Sequence, residues 1–120
     1  MGDRIIKVTP DVTLSINAPF TKHSRTNMRV ANCGKARVMW VIKSTNTKLM
    51  FNPSNGVLDP DRRADVKVLC EALDKPGGQD RIAVEFTALT DSGPKNFDLK
   101  YFTDCQEIQR KVIKIDYNRD

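Results

Sequence analysis

The sequence predicts an all-β fold, an antiparallel sandwich of about seven strands. Apolar residues recur at every second position in short runs along the chain. Between the runs lie clusters of Asn, Asp, Gly, Pro and Ser, the residues that close turns. Size adds a bound: 120 residues, 39% hydrophobic and 29% charged, describe one globular domain and not a disordered chain.

In the first run Val12, Leu14 and Ile16 alternate with Thr13 and Ser15. Met28 and Val30 alternate with Asn27, Arg29 and Ala31. In the third run Val38, Trp40 and Ile42 form one face, but Met39 and Val41 make the other face apolar too. That strand is either covered on both sides or presents Met39 and Val41 as a dimerisation or assembly patch. A short edge strand is expected at Leu49–Phe51. Val66, Val68 and Cys70 point one way, Asp65 and Lys67 the other. Ile82, Val84 and Phe86 alternate with Arg81, Ala83 and Glu85. Leaving that short edge strand aside, Phe97, Leu99 and Tyr101 read as a sixth strand, and Ile113, Ile115 and Tyr117 as a seventh. A helical turn is expected only within Asp104–Lys111. The turns fall at Asn17–Pro19, Asn32–Gly34, Asn52–Gly56, Asp59–Asp61, Lys75–Gly78 and Asp91–Pro94. Pro19, Pro53 and Pro60 are expected to follow trans peptides.

Several function classes find no footing. The one histidine, His23, stands in a polar loop, and no nucleophile-elbow pattern accompanies it, so no catalytic residue is assigned. Gly77-Gly78 precedes a strand and not a helix, so no phosphate cradle or cofactor site is expected. Cys33, Cys70 and Cys105 lack metal-ligand spacing, and no metal site is expected. Three thiols without a disulfide framework fit a reducing, cytoplasmic setting. Met1–Lys7 has no apolar stretch of the kind a leader needs. The longest uncharged apolar run, Val38–Ile42, falls far short of the roughly 20 residues of a membrane span. Lys and Arg total 20 against 15 Asp and Glu, a net +5. These cations are scattered, and the densest group, Arg110, Lys111 and Lys114, is offset by Glu107 and Asp116. They read as solvated surface and not as a nucleic-acid stripe. Function is therefore expected on protein-binding surfaces.

Five segments carry a resemblance. They are Asn17-Ala-Pro-Phe20, Ile42-Lys-Ser-Thr-Asn46, Asn52-Pro-Ser-Asn-Gly-Val-Leu-Asp-Pro60, Asp80-Arg-Ile-Ala-Val-Glu-Phe-Thr87 and Ile115-Asp-Tyr-Asn118. In this order and near this spacing they resemble the nematode major sperm protein family, from about Val8 to Asn118. The resemblance implies an N-terminal extension over 1–7 and a single immunoglobulin-like, seven-stranded domain over 8–120. It also implies a non-enzymatic protein of the sperm cytoskeleton, in the cytoplasm of the crawling cell's pseudopod. Its partners would be other family members or their filaments, and it could pair with itself as a homodimer. Departures from the filament-forming pattern, at Lys43-Ser44-Thr45, Trp40 and Phe86, favour an accessory that binds filaments and modulates their assembly. A self-polymerising subunit is the alternative. The same domain occurs in VAMP-associated proteins, which bind acidic FFAT-type peptides on a basic face. Carried over by position, that face is Lys43, Ser44, Thr45, Arg81 and Arg110, with Ala83 where the adaptors have methionine and Val41 where they have lysine.

Overall fold

The computed structural model describes residues 6–10, 13–17, 24–71, 80–90, 93–104 and 107–118. Among these residues nine strands form two sheets: β1 (Ile6–Thr9), β2 (Thr13–Asn17), β3 (Ser24–Asn32), β4 (Val38–Ser44), β5 (Leu49–Asn52), β6 (Asn55–Leu58), β7 (Arg63–Cys70), β8 (Arg81–Ala88) and β9 (Gln109–Asn118). One sheet has the order β1-β3-β7-β5, the other β2-β9-β8-β4-β6. All pairings are antiparallel except β2 with β9, which is parallel. The result is the immunoglobulin-like sandwich that the alternation and the resemblance imply.

The differences from the sequence reading are local. Strand β1 starts at Ile6, inside the segment read as an N-terminal extension, and pairs with β3. Ile6 is buried, so the inward phase begins there. Strand β6 replaces the end of the turn expected at Asn52–Gly56. The Asn52–Pro53 peptide is cis, as is Thr9–Pro10; the tertiary amide of proline makes this isomer accessible. The Phe97-Leu99-Tyr101 alternation is not a strand. Leu99–Asp104 forms a six-residue helix, α1. Asp98 decides this: its Oδ1 accepts from Tyr101 N at 3.1 Å and its carbonyl from Phe102 N at 2.9 Å. That is a helix N-cap, and it outweighs a three-residue alternation. Of the segment Asp104–Lys111, where a helical turn is expected, Asp104 ends α1 and β9 begins at Gln109. His23, Cys105 and the turn Lys75–Gly78 lie outside the described residues.

The period-two residues fill the space between the sheets. Val30, Val38, Val66, Val68, Ile82, Val84 and Ile113 are all essentially inaccessible, with Trp40 among them. Cys70 is buried there as a small apolar side chain, and Cys33 is exposed. Trp40 stands between Gly56 on β6 and Phe86 on β8. Its indole edge lies against Gly56, where a Cβ would sit 3.3 Å from Nε1. Met39 points away from this core into a second cluster with Leu89 and Phe102. Strand β4 is thus covered on both faces, which explains its unbroken apolar run.

Asn32 is the buried polar hub at one end of the sandwich, 2% exposed. Its Nδ2 donates to Ala36 O at 2.8 Å and Leu58 O at 2.9 Å, and its Oδ1 accepts from Gly34 N at 2.9 Å. Its backbone N–H donates to Arg62 O, and its carbonyl accepts from Asp61 N. Asp61 has a left-handed φ of 64°, a conformation that aspartate tolerates in turns. One side chain thereby joins the β3–β4 turn to the end of β6. Asn32→Ala is expected to cost about 3 kcal/mol, because it orphans buried backbone groups; the shift in urea midpoint measures it. Gly56→Val is expected to cost about 1–3 kcal/mol by crowding Trp40, read the same way.

Candidate functional site

The site is built by register across three strands. Strand β8 lies between β4 and β9, and its outward positions are Arg81, Ala83 and Glu85. Pairing sets Ala83 between Lys43 on β4 and Val112 on β9. It sets Glu85 between Val41 and Arg110. Together with Ser44 and Thr45 at the end of β4, these residues line an open concavity of about 320 Å³. All five residues expected on a peptide-binding face, Lys43, Ser44, Thr45, Arg81 and Arg110, are brought together. Ala83 and Val112 form an apolar floor, and Val112 is 44% exposed.

Charge is fixed at one end of the concavity. Glu85 is buried, with its carboxylate between Lys43 Nζ, 2.8 Å from Oε1, and Arg110, whose Nε donates to Oε2 at 3.1 Å. The hydrogen bond from Lys43 lowers the Glu85 pKa most; burial opposes it, and Arg110 adds to the lowering. Lys43 and Arg110 remain mostly exposed despite this pairing. The Arg81 guanidinium has no partner among the described residues, so it is an open cation at the rim of the concavity.

The two hydroxyl residues shape the rim. Thr45 Oγ1 accepts from Arg81 N at 2.9 Å and donates to Asp80 Oδ1 at 3.3 Å. Ser44 Oγ accepts from Asn46 N at 3.0 Å, closing the turn after β4. These bonds pin the start of β8 to the end of β4 and fix where Arg81 leaves the sheet.

The assembly patch expected at Met39 and Val41 is not an open surface. Met39 is 0% exposed, because Leu89 and Phe102 of α1 pack over it. Val41 is half-buried at the margin of that cluster. The sequence reading missed Glu85 and Val112. Their alternation shows that they face outward, but only the pairing of distant strands puts them between Lys43, Arg81 and Arg110. Among the described residues, no group of His, Cys, Asp and Glu side chains is placed to hold a metal ion.

The description "MSP (Major sperm protein) domain" belongs to the family profile that matches residues 5–105. The chain belongs to this family. Major sperm protein 2 of Onchocerca volvulus is 32% identical over 117 residues, covering 94% of this chain and 92% of that one. Major sperm protein 2 of Globodera rostochiensis is 33% identical over 118 residues, covering 94% and 93%. Among solved structures, the C. elegans MSP family member WR4 superposes with a TM-score of 0.72 at 16% identity, covering 96% of this chain and 99% of that one. SSP-19, an MSP-domain-like protein of Caenorhabditis elegans, also gives 0.72, at 18% identity and 92% and 97% coverage. At such identities the superpositions establish the shared fold.

Within this MSP domain the Glu85 cluster makes a pH prediction. A folded-state pKa held below the unfolded value adds stability that is present above the unfolded pKa. That stability is lost as pH falls through the folded pKa. Glu85→Gln is expected to lower stability by about 1 kcal/mol at neutral pH. It should also flatten the acid limb of the stability profile, as recorded by urea unfolding at stepped pH.

Proposed function

We propose that this MSP-domain chain is a non-enzymatic docking protein of the nematode sperm cytoskeleton. It binds filaments of the major sperm protein, or other sperm proteins, and modulates assembly during amoeboid movement. Its place is the cytoplasm of the pseudopod, where those filaments work. The observation that supports this reading is the convergence of Lys43, Ser44, Thr45, Arg81 and Arg110 around the apolar floor of Ala83 and Val112. Such a face suits an acidic segment of another protein carrying apolar side chains. It does not suit the same face of a second copy, because like charges would meet. With Met39 sealed beneath α1, the apolar patch that would have favoured self-assembly is withdrawn. An accessory is therefore favoured over a self-polymerising subunit.

The same five residues support a second reading, an adaptor for acidic FFAT-type peptides. Ala83 gives that groove a flatter floor than methionine would, and Glu85 already occupies two of its cations.

The purified chain is expected to remain small alone and to co-sediment with major sperm protein filaments. Arg81→Glu should reduce the co-sedimenting fraction several-fold, and added salt should do the same. Fibres formed by this chain alone would favour the subunit reading. A diphenylalanine peptide flanked by acidic residues, bound while filaments are ignored, would favour the adaptor.

A further inference from the structure

Strand register gathers cations that look scattered along the sequence. On the outer face of the β1-β3-β7-β5 sheet, Lys7, Arg25, Arg29, Arg63 and Lys67 are all exposed and all on the outward phase of their strands. Asp65 is the acid among them, and Arg29 Nε holds it at 2.8 Å. Arg63 also acts on Asp65 through its charge, while Lys7, Arg25 and Lys67 have no acidic partner among the described residues. Among the described residues this face therefore carries five cations against one acid.

One end of this face is hollow. Register puts Leu69 between Arg25 and Met50, and Lys67 between Asn27 and Asn52. These six side chains line a concavity of about 480 Å³, larger than the one on the opposite sheet. Met50 is 49% exposed and Leu69 is half-buried, so an apolar pair lies beside two unpaired cations.

We propose that this hollow is a second docking site, and that its occupant is an acidic segment of another protein bearing one apolar side chain. The charge demands an anionic partner. The shape selects the kind. A lipid surface is planar and is engaged by protruding apolar groups, whereas Met50 and Leu69 line a recess. Single-stranded nucleic acid needs aromatic platforms, and the outward positions of these four strands carry none among the described residues. A second copy is disfavoured, because the outer face of the other sheet is also basic, with Lys43, Arg81, Arg110 and Lys114 exposed. The two hollows lie on opposite sheets, so a chain with both filled bridges two acidic segments and gains avidity from either. This site stands or falls independently of the function proposed above.

The probe is a fluorescein-labelled peptide of Glu and Asp around one central Leu, titrated calorimetrically into the full chain at low salt. Two equivalents are expected to bind. Arg25→Glu combined with Lys67→Glu should remove one of them, weakening that site by about tenfold or more, and leave the other. Arg81→Glu should do the reverse. Met50→Glu should weaken the same site as the double variant, and thermal melts would verify that each variant is folded. Unchanged stoichiometry in the Arg25/Lys67 variant overturns the second site without touching the first. Two other outcomes also overturn it: phosphatidylserine vesicles that capture the chain through Arg25 and Lys67 while the peptide does not, or self-association that requires these residues.

Discussion

The pairing of β8 with both β4 and β9 is the constraint on which the rest of the molecule depends. The inward residues of β8, Ile82, Val84 and Phe86, fill the centre of the core. Its outward residues, Arg81, Ala83 and Glu85, form the middle row of the concave face. Because side chains alternate strictly along a strand, the same register serves both tasks. A slip by one residue would turn Glu85 inward between the sheets, away from Lys43 and Arg110, and turn Val84 outward. The core and the candidate docking face are therefore specified together, and neither can drift without the other.

Burial at the two ends of the outer face decides what it presents. At one end α1 covers Met39 through Phe102, with Leu89 beside it. At the other end Val112 is exposed, and the apolar floor of Ala83 and Val112 is bounded by cations. Glu85 stands between these regions. It is buried, so an unpaired carboxylate there would be costly. Lys43 and Arg110 compensate it from exposed positions, and the pairing holds both long side chains in fixed orientations. The face is thus partly organised before any partner arrives, which reduces the entropy lost on binding.

Much of this was legible in the sequence, and the illegible parts share a cause. The alternations at Val38–Ile42, Val66–Cys70 and Ile82–Phe86 give strands because many successive residues agree in phase. The alternation at Phe97–Tyr101 spans only five residues, and a single capping aspartate, Asp98, outweighs it. The five face residues were placed by resemblance, and the register of β4, β8 and β9 brings them together. Glu85 escaped notice because its partners are distant in the chain. Lys43 and Arg110 become its neighbours only when three strands are aligned. The basic outer face of the other sheet was missed for the same reason: Lys7, Arg25, Arg63 and Lys67 are spread over three strands, and periodicity says which side each takes but not which strands are adjacent.

The central claim is that this MSP domain docks another protein on the Lys43/Arg81/Arg110 face. Backbone amide chemical-shift mapping, with unlabelled major sperm protein titrated into the labelled chain, tests it most directly. The account predicts perturbations concentrated at the end of β4, along the outward residues of β8 and around Val112. Perturbations that leave those strands untouched while binding occurs elsewhere would contradict it.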